Sequence, residues 1–339
     1  MIRPILLTLA SFILRATNPD YLNFGRLSHS QTVTLQWYLG WILPAWALVD
    51  FNSLLNRWAE NRWIWRPDKS SWDWKREVAV VTGGSAGIGA CVVKKLASHG
   101  IRVAVLDVSP LSEAFTQDER TVIRYYKCDI ASRDDIHQAA EAIRSDLGPP
   151  SILINNAGIG NAWTVLDIPP AYLKRMLDIN LLSHWSTVQE FLPDMLAKKK
   201  GHIMGVASLA SFVTLAGAVD YSCTKAALLA FHEGLAQELK HRYNCPQIQT
   251  SIVHPNWTRS AITSHPAIAA GLKRIGVKLL EPEHVAEAMV KQITAVKSGQ
   301  LILGPWLSPK LRALPLWLQE LIRDSQANAV TGSGSTAGG

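Results

Sequence analysis

The chain has 339 residues, enough for one large α/β domain and an appendage. With 48% hydrophobic and 18% charged residues, general disorder is excluded. The formal net charge of +7 would suit nucleic acid or an anionic surface, but the basic residues are scattered. The exception, Lys198-Lys199-Lys200, reads as a solvated helix end, so no nucleic-acid partner is expected.

Met1–Leu14 (MIRPILLTLASFIL) is mostly apolar and carries one early Arg3. No small-x-small cleavage site follows it cleanly, which weakens a signal-peptide reading. Val33–Phe51 (VTLQWYLGWILPAWALVDF) is a second apolar run, nearly long enough to span a bilayer, although Gln36 and Pro44 interrupt it. Eight of the chain's 13 tryptophans fall between Trp37 and Trp74, beside Arg57, Arg62, Arg66 and Lys69. An amphipathic indole next to a cation suits a lipid headgroup layer. Residues 1–74 are therefore expected to be a membrane-associated segment, as a transmembrane helix or lying on the surface. The alternative is an extension that packs on the domain or on a partner subunit.

From Glu77 onward, β-rich runs alternate with helix-period stretches. Strands are predicted at Val78–Thr82, Arg102–Asp107, Val122–Cys128, Ile152–Asn155, His202–Ala207, Gln249–Val253 and Leu301–Leu303. Helices are predicted at Gly87–Ser98, Asp134–Leu147, Ala171–Lys198, Val219–Arg242 and Glu283–Val296. This alternation predicts an α/β fold, a Rossmann-type doubly wound parallel sheet with helices on both faces, over residues 75–305. An amphipathic helix is expected within 306–326, with Pro315 as an interruption. The composition of 327–339 predicts a disordered tail. Cys91, Cys128, Cys223 and Cys245 form no CxxC pair and no Cys/His cluster, so neither a disulfide framework nor a metal site is expected. The catalytic body is placed in a reducing compartment.

The first predicted strand runs into Thr82-Gly83-Gly84-Ser85-Ala86-Gly87-Ile88-Gly89, and a helix follows. Glycine is needed where a chain turns sharply and where backbone must approach a pyrophosphate. The helix start then presents free N–H groups to the phosphates. Gly83, Ser85, Gly87, Ile88 and Gly89 are thus candidate cofactor-binding residues. Asp107, at the end of the second strand, would accept hydrogen bonds from the adenosine ribose hydroxyls and repel a 2′-phosphate. No Arg follows in Val108-Ser109-Pro110. NAD is therefore favoured, with NADP as the alternative.

Tyr221-Ser222-Cys223-Thr224-Lys225 lies in a predicted helix, where positions i and i+4 share a face about 6 Å apart along the axis. A phenol ionises near roughly pH 10, and a nearby ammonium is expected to lower that value. Taken alone, YxxxK reads as an ordinary amphipathic helix.

With Asp129, Asn155-Asn156-Ala157-Gly158, Asn180 and Ser208 in the same order, the stretch Val78–Pro305 resembles the short-chain dehydrogenase/reductase family. Ser208 stands 13 residues before Tyr221, the separation usual there. The resemblance implies Tyr221 as general acid/base and Lys225 as the group that lowers its pKa and holds the nicotinamide ribose. It implies Ser208 as a hydrogen-bond donor to the substrate oxygen. Asn180 would fix a helix and hold a water, Asp129 would contact adenine, and Asn156 would line the cofactor groove.

Leu182-Ser183-His184-Trp185, Phe191-Leu192-Pro193, Gly201-His202-Ile203 and Phe231-His232-Glu233 are similar to one branch. It holds membrane- or lipid-droplet-associated retinol dehydrogenases and 17β-hydroxysteroid-dehydrogenase-like enzymes. The resemblance implies a lipophilic alcohol or ketone as substrate and a location at the endoplasmic reticulum or lipid droplet surface. The catalytic domain would be cytosolic, and a homo-oligomer is plausible through the two long helices. One departure is Pro255-Asn256 where the family has Pro-Gly; Asn256 is expected to take the left-handed conformation. Trp257 would narrow the nicotinamide pocket, and Ser260–Lys278 would form the substrate lid. Two other readings stay open: an NADPH-dependent carbonyl reductase of a biosynthetic pathway, and a cofactor-binding membrane scaffold without turnover.

Overall fold

The computed structural model describes residues 2–18, 27–65 and 68–330. Arg66 and most of the expected tail, from 331 on, lie outside the described residues. The chain divides into two compact units, Met1–Arg66 and Pro67–Gly339.

The first unit is a pair of helices, α1 (Ile2–Ala16) and α2 (His29–Glu60). Ser28 and Gln31 form a capping box that starts α2. Polar side chains tie the helices together. Ser11 Oγ and Arg15 Nε both donate to the Gly40 carbonyl, at 3.1 and 2.9 Å. Gln36 Nε2 donates to the carbonyls of Leu14 and Thr17. The apolar side chains face outward: Phe12 is 71% and Leu48 69% exposed, and Trp37, Trp41 and Trp46 are also exposed.

No described helix is long and apolar enough to cross a membrane, which corrects the expectation of a transmembrane helix. At 15 residues α1 reaches about 22 Å, short of a hydrocarbon core of about 30 Å. The longer α2 carries Gln36, Asp50, Arg57 and Glu60 along its length, with Pro44 inside it.

The second unit is built on seven parallel strands. They are β1 (Val78–Thr82), β2 (Arg102–Asp107), β3 (Ile123–Lys127), β4 (Ile152–Asn155), β5 (His202–Val206), β6 (Gln249–Pro255) and β7 (Gly299–Leu303). The sheet order is β3-β2-β1-β4-β5-β6-β7, so the winding reverses between β1 and β4. A crevice at the carboxyl ends of these two strands follows from that reversal. The strands β1 and β4 are buried throughout, as expected for a sheet covered on both faces.

One face packs against α3 (Gly87–Ser98), and a short α4 (Gln117–Val122) follows β2. The start predicted for the third strand, Val122, instead ends α4, which Thr116 and Glu119 cap. Trp72 and Trp74 stack on each other, and Trp72 is buried in this same core beside Val103 and Ile152. The other face holds α5 (Arg133–Asp146), α7 (Ser183–Lys198) and α8 (Val219–His241), which bury Ile143, Phe191 and Leu239 against Val80 and Leu153.

The helix predicted over Ala171–Lys198 is interrupted. After α6 (Pro170–Leu177) a π-helical turn covers Asp178–Leu182 before α7 begins. Asn180 sits in that turn, fully buried, with its amide bonded to both backbone groups of Ile159 at 2.8 Å.

Beyond β6 come α9 (Pro266–Arg274) and α10 (Pro282–Thr294). After β7, Pro315 divides the C-terminal segment. A 3-10 turn over Ser308–Ala313 precedes it and α11 (Leu316–Ser325) follows. The chain then returns over α9, and a Cβ added to Gly271 would stand 2.3 Å from the Ala329 carbonyl oxygen.

Candidate active site

A cleft of about 810 Å³ opens at the carboxyl ends of the strands. Gly83, Gly87, Ile88, Asp107, Asp129, Asn156, Ser208, Tyr221 and Lys225 all line it. Ser85, Gly89 and Asn180 do not. Each of those three supports a residue that does.

The turn after β1 explains its glycines. Gly83 and Gly87 take φ of +64° and +54°, where a side chain would be strained. Nothing lies within 4 Å of a Cβ built on Gly87, so the space above it is open. Gly89 is the opposite case: a Cβ there would meet the Gly83 carbonyl oxygen at 2.0 Å and Asn156 Nδ2 at 2.6 Å. Ala86 caps α3 with no side-chain hydrogen bond, leaving first-turn N–H groups for an anion. Ser85 faces the loop itself: its N–H donates to Asp107 Oδ2 at 3.0 Å and its hydroxyl to the Ser109 carbonyl. Asp107 Oδ1 accepts from Ser109 N–H, and the partly exposed carboxylate keeps further acceptor capacity toward the cleft.

Asn156 lines the groove and also clamps the loop, donating from Nδ2 to the carbonyls of Thr82 and Gly83 at 3.0 and 3.1 Å. Asp129 pairs with Arg175 of α6 at 2.9 Å and accepts the Ala131 N–H. Its carboxylate is thus largely engaged by the protein. The open space over Gly87, the uncapped helix start and the acidic strand end together fit a dinucleotide.

At the other end, Tyr221 and Lys225 stand one turn apart on α8. Lys225 is buried, its Nζ donates to the Val206 carbonyl at 2.9 Å, and it lies 5.5 Å from the Tyr221 ring centroid. Burial pulls the ammonium down to about 8. Burial also pushes the Tyr221 phenol up to about 12, opposed by a hydrogen bond from Ser208. This differs from the expectation that Lys225 would lower the phenol in the free protein. Desolvation outweighs it there, and the hydrogen bond that acts downward comes from Ser208.

Ser208 leaves β5 in an extended conformation, and its Oγ accepts the Ala210 N–H at 3.1 Å. Asn161 Nδ2 donates to Asp220 Oδ2 at 2.8 Å, which anchors the start of α8 to the loop after β4. Asn256 does not take positive φ, contrary to expectation; its N–H instead donates to the Leu303 carbonyl beside β7. Trp257 lines the cleft with Ile262, Ile268 and Val277 of the expected lid.

Three contributors lie outside the motifs: Arg175, Asn161 and His254, whose Nδ1 bonds the Ser208 carbonyl at 3.1 Å. Only Asn161 follows close on a motif. Arg175 is 46 residues beyond Asp129, and His254 sits in a strand of mixed polar and apolar residues (QTSIVHP) that matches no motif. For the loop, Gly89→Ala is expected to weaken dinucleotide binding at least tenfold, about 1.4 kcal/mol, by forcing the Gly83 turn apart. Calorimetric titration with NADH checks it, and an unchanged Kd would contradict the close approach.

Residues 77–267 match the family model described as short chain dehydrogenase. "Dehydrogenase RED2" of Cochliobolus heterostrophus is 43% identical over 183 residues, covering 54% of this chain and 68% of that protein. The human "Short-chain dehydrogenase/reductase 3" is 32% identical over 243 residues, 69% of this chain and 76% of its own. "Retinol dehydrogenase 10-B" of Danio rerio is 30% identical over 203 residues, 53% of this chain and 60% of its own. A 3-ketoacyl-(acyl-carrier-protein) reductase from Brucella melitensis, solved with NADH, shares the fold at TM-score 0.60 and 24% identity. That likeness covers 68% of this chain and 97% of the reductase. The cleft, its glycine turn and these likenesses lead to one conclusion: the chain belongs to the short chain dehydrogenase family, the NAD(P)-dependent oxidoreductases.

Proposed function

We propose that the protein transfers hydride between NAD and the CH–OH or C=O group of a lipophilic alcohol or ketone. The observation that carries this reading is the convergence of Ser208, Tyr221 and Lys225 on the wall of a cleft that continues to the glycine turn. Beyond these residues much of the cleft wall is apolar, with Val213, Leu215, Ile262, Ile268, Leu311 and Ile322. An apolar chamber with a few convergent polar groups suits a lipophilic ligand. The likeness to retinol dehydrogenases supports the same substrate class.

The nicotinamide supplies hydride acceptance or donation when bound. Gly83, Gly87, Ile88 and Gly89, with Ser85 behind them, would form the phosphate turn. Asp107 would hold the adenosine ribose, while Asp129 and Asn156 would bound the groove. Ser208 would donate to the substrate oxygen and Tyr221 would exchange its proton. Lys225, buried beside the phenol, would favour its ionised form once charge develops. Asn180 would hold the loop at Ile159 that backs Lys225.

In oxidation the phenolate of Tyr221 is the base, so its rate should climb from about pH 6 to about pH 9. In reduction the neutral phenol is the acid, and the rate should stay level over that range. Tyr221→Phe should lower turnover roughly 10²–10⁴-fold in both directions and leave NADH binding intact. Cofactor absorbance with a panel of lipophilic alcohols and ketones in detergent measures this. An active Tyr221→Phe protein would remove the phenol from the chemistry; an inert wild type across the panel would favour the scaffold reading.

The cofactor preference rests on Asp107. NADH should be used better than NADPH, and Asp107→Asn should shift the ratio of kcat/KM values toward NADPH by about tenfold, because repulsion of a 2′-phosphate is lost. The amide oxygen can still accept one of the loop hydrogen bonds. Preference for NADPH in the unmodified protein would support the reductase alternative.

Residues 1–74 are read as the attachment to a lipid surface, at the endoplasmic reticulum or a lipid droplet. Support comes from the outward apolar faces of α1 and α2 with Trp beside Arg15 and Arg3, which stack over Trp41 and Trp46. The catalytic unit would face the cytosol, and α7 with α8 would serve a homo-oligomer. Phe12→Glu combined with Leu48→Glu should cut partition of the full chain into phosphatidylcholine–phosphatidylserine vesicles about tenfold. Both side chains are exposed, so the helix pair should persist. Unaltered co-flotation would count against this attachment.

A further inference from the structure

We propose that His254 is a positioning residue, whose Nδ1–H fixes the Ser208 carbonyl and so aims the Ser208 hydroxyl at Tyr221. The proposal rests on the roles given above to Ser208 and Tyr221.

The parallel ladder between β5 and β6 ends at Val206 and Val253, and the last hydrogen bond runs from Ala207 N–H to the Val253 carbonyl at 2.8 Å. Ser208 therefore lies one residue beyond the reach of the sheet. Its orientation has to come from elsewhere. The Ser211 N–H reaches the Ser208 carbonyl at 3.0 Å from the turn it begins. His254 Nδ1 reaches the same oxygen at 3.1 Å from the strand behind. Two donors from different elements leave that peptide little freedom to rotate.

The hydroxyl end is equally constrained. Ser208 Oγ accepts the Ala210 N–H at 3.1 Å, which leaves its own proton free to be donated, and a bond from Ser208 acts on the Tyr221 phenol in the downward direction.

A carbonyl oxygen cannot donate, so the hydrogen of the His254–Ser208 bond must sit on Nδ1. Nε2 is then a bare acceptor, and it is buried without a hydrogen-bond partner among the described residues. The ring is fully buried and packs on Phe212, with centroids 4.6 Å apart. A buried acceptor without a donor is unfavourable, and a leucine would fill such a space without that penalty. The packing of the core therefore does not explain an imidazole here; its bond to Ser208 does.

The ionisable side chains around this corner are Tyr221, Lys225 and Asp220 on α8, His184 on α7 and His254 on β6; Asp220 is bonded to Asn161. The end of β5 and the turn Leu209–Ser211 contribute hydroxyl and backbone groups. Burial and the charge of Lys225 keep both histidines neutral, His254 down to about pH 4. A displaced pH profile above neutrality would thus report Tyr221 and Lys225, not the histidines.

The test compares His254→Leu, His254→Asn and Ser208→Ala in the full chain. His254→Leu should lower kcat about tenfold with KM for NADH unchanged. It should also move the alkaline limb of the kcat/KM profile for reduction upward, because in the free protein the bond from Ser208 that lowers the phenol is lost. The Asn amide can replace Nδ1–H, so His254→Asn should recover most of the rate and the profile. Adding His254→Leu to Ser208→Ala should change nothing further. Nitrogen-15 spectra of the wild-type imidazoles should contain one ring with a protonated Nδ1 and a bare Nε2, unchanged between about pH 8 and about pH 5 and absent from His254→Asn.

An unchanged kcat and profile in His254→Leu, or independent multiplication with Ser208→Ala, would overturn the proposal. So would an Nε2-protonated ring at His254, which decides the matter even if the leucine variant fails to fold. A wild type inert toward every alcohol and ketone would instead defeat the proposed function, and the imidazole spectrum would still judge His254.

Discussion

A lysine ammonium buried at the end of a parallel sheet is the constraint around which this site is arranged. Lys225 has no carboxylate partner among the described residues and holds one carbonyl, that of Val206. An unpaired buried cation is costly, and it persists only where surrounding structure enforces it. Here the enforcement is geometric. The residue is in the first turns of a helix whose outer stretch is fixed by Leu228, Leu235 and Leu239, each buried against the sheet. Asn161 and Asp220 hold the beginning of that helix. The position that places Tyr221 on the cleft wall also commits Lys225 to the interior.

The same logic runs through the rest of the cleft: residues that face it are held by residues that do not. Asn180 is hidden in a π-helical turn and fixes Ile159, beside Gly158 and Lys225. Ser85 turns away from the opening and joins the glycine loop to Asp107. Gly89 matters because the Gly83 carbonyl and Asn156 occupy the space its side chain would need. Asp107 shares one carboxylate between the loop, where it accepts from Ser85 and Ser109, and the cleft that it lines.

Electrostatics in the free protein favour the neutral phenol. Burial raises Tyr221 and lowers Lys225, so the two titrations move toward each other from ordinary values that already lie close together and then cross. The protein alone thus holds an acid suited to carbonyl reduction, with Ser208 as the group that pulls the phenol back toward ionisation. Under the proposed mechanism, the rate of alcohol oxidation would depend on how strongly bound charge in the cleft stabilises the phenolate.

Much of this was legible in the amino-acid order because it is local. The glycine turn needs a strand, a turn and a helix within a dozen or so consecutive residues. Tyr221 and Lys225 need only helical spacing, and alternation of strand and helix fixes a parallel sheet. What the order could not settle depends on partners distant along the chain. The break in the helix predicted over Ala171–Lys198 exists because Asn180 meets Ile159. The engagement of Asp129 depends on Arg175, from another helix. The apolar run Val33–Phe51, by contrast, already carried Gln36, Pro44 and Asp50 within it, and the helix it forms is not apolar enough to cross a bilayer. His254 carries no signal at all in its strand, since its role comes from the neighbour that β5 brings alongside. Sequence determines what short stretches of backbone can do; burial and cross-strand proximity decide which polar groups meet, because desolvation makes every unpaired one costly.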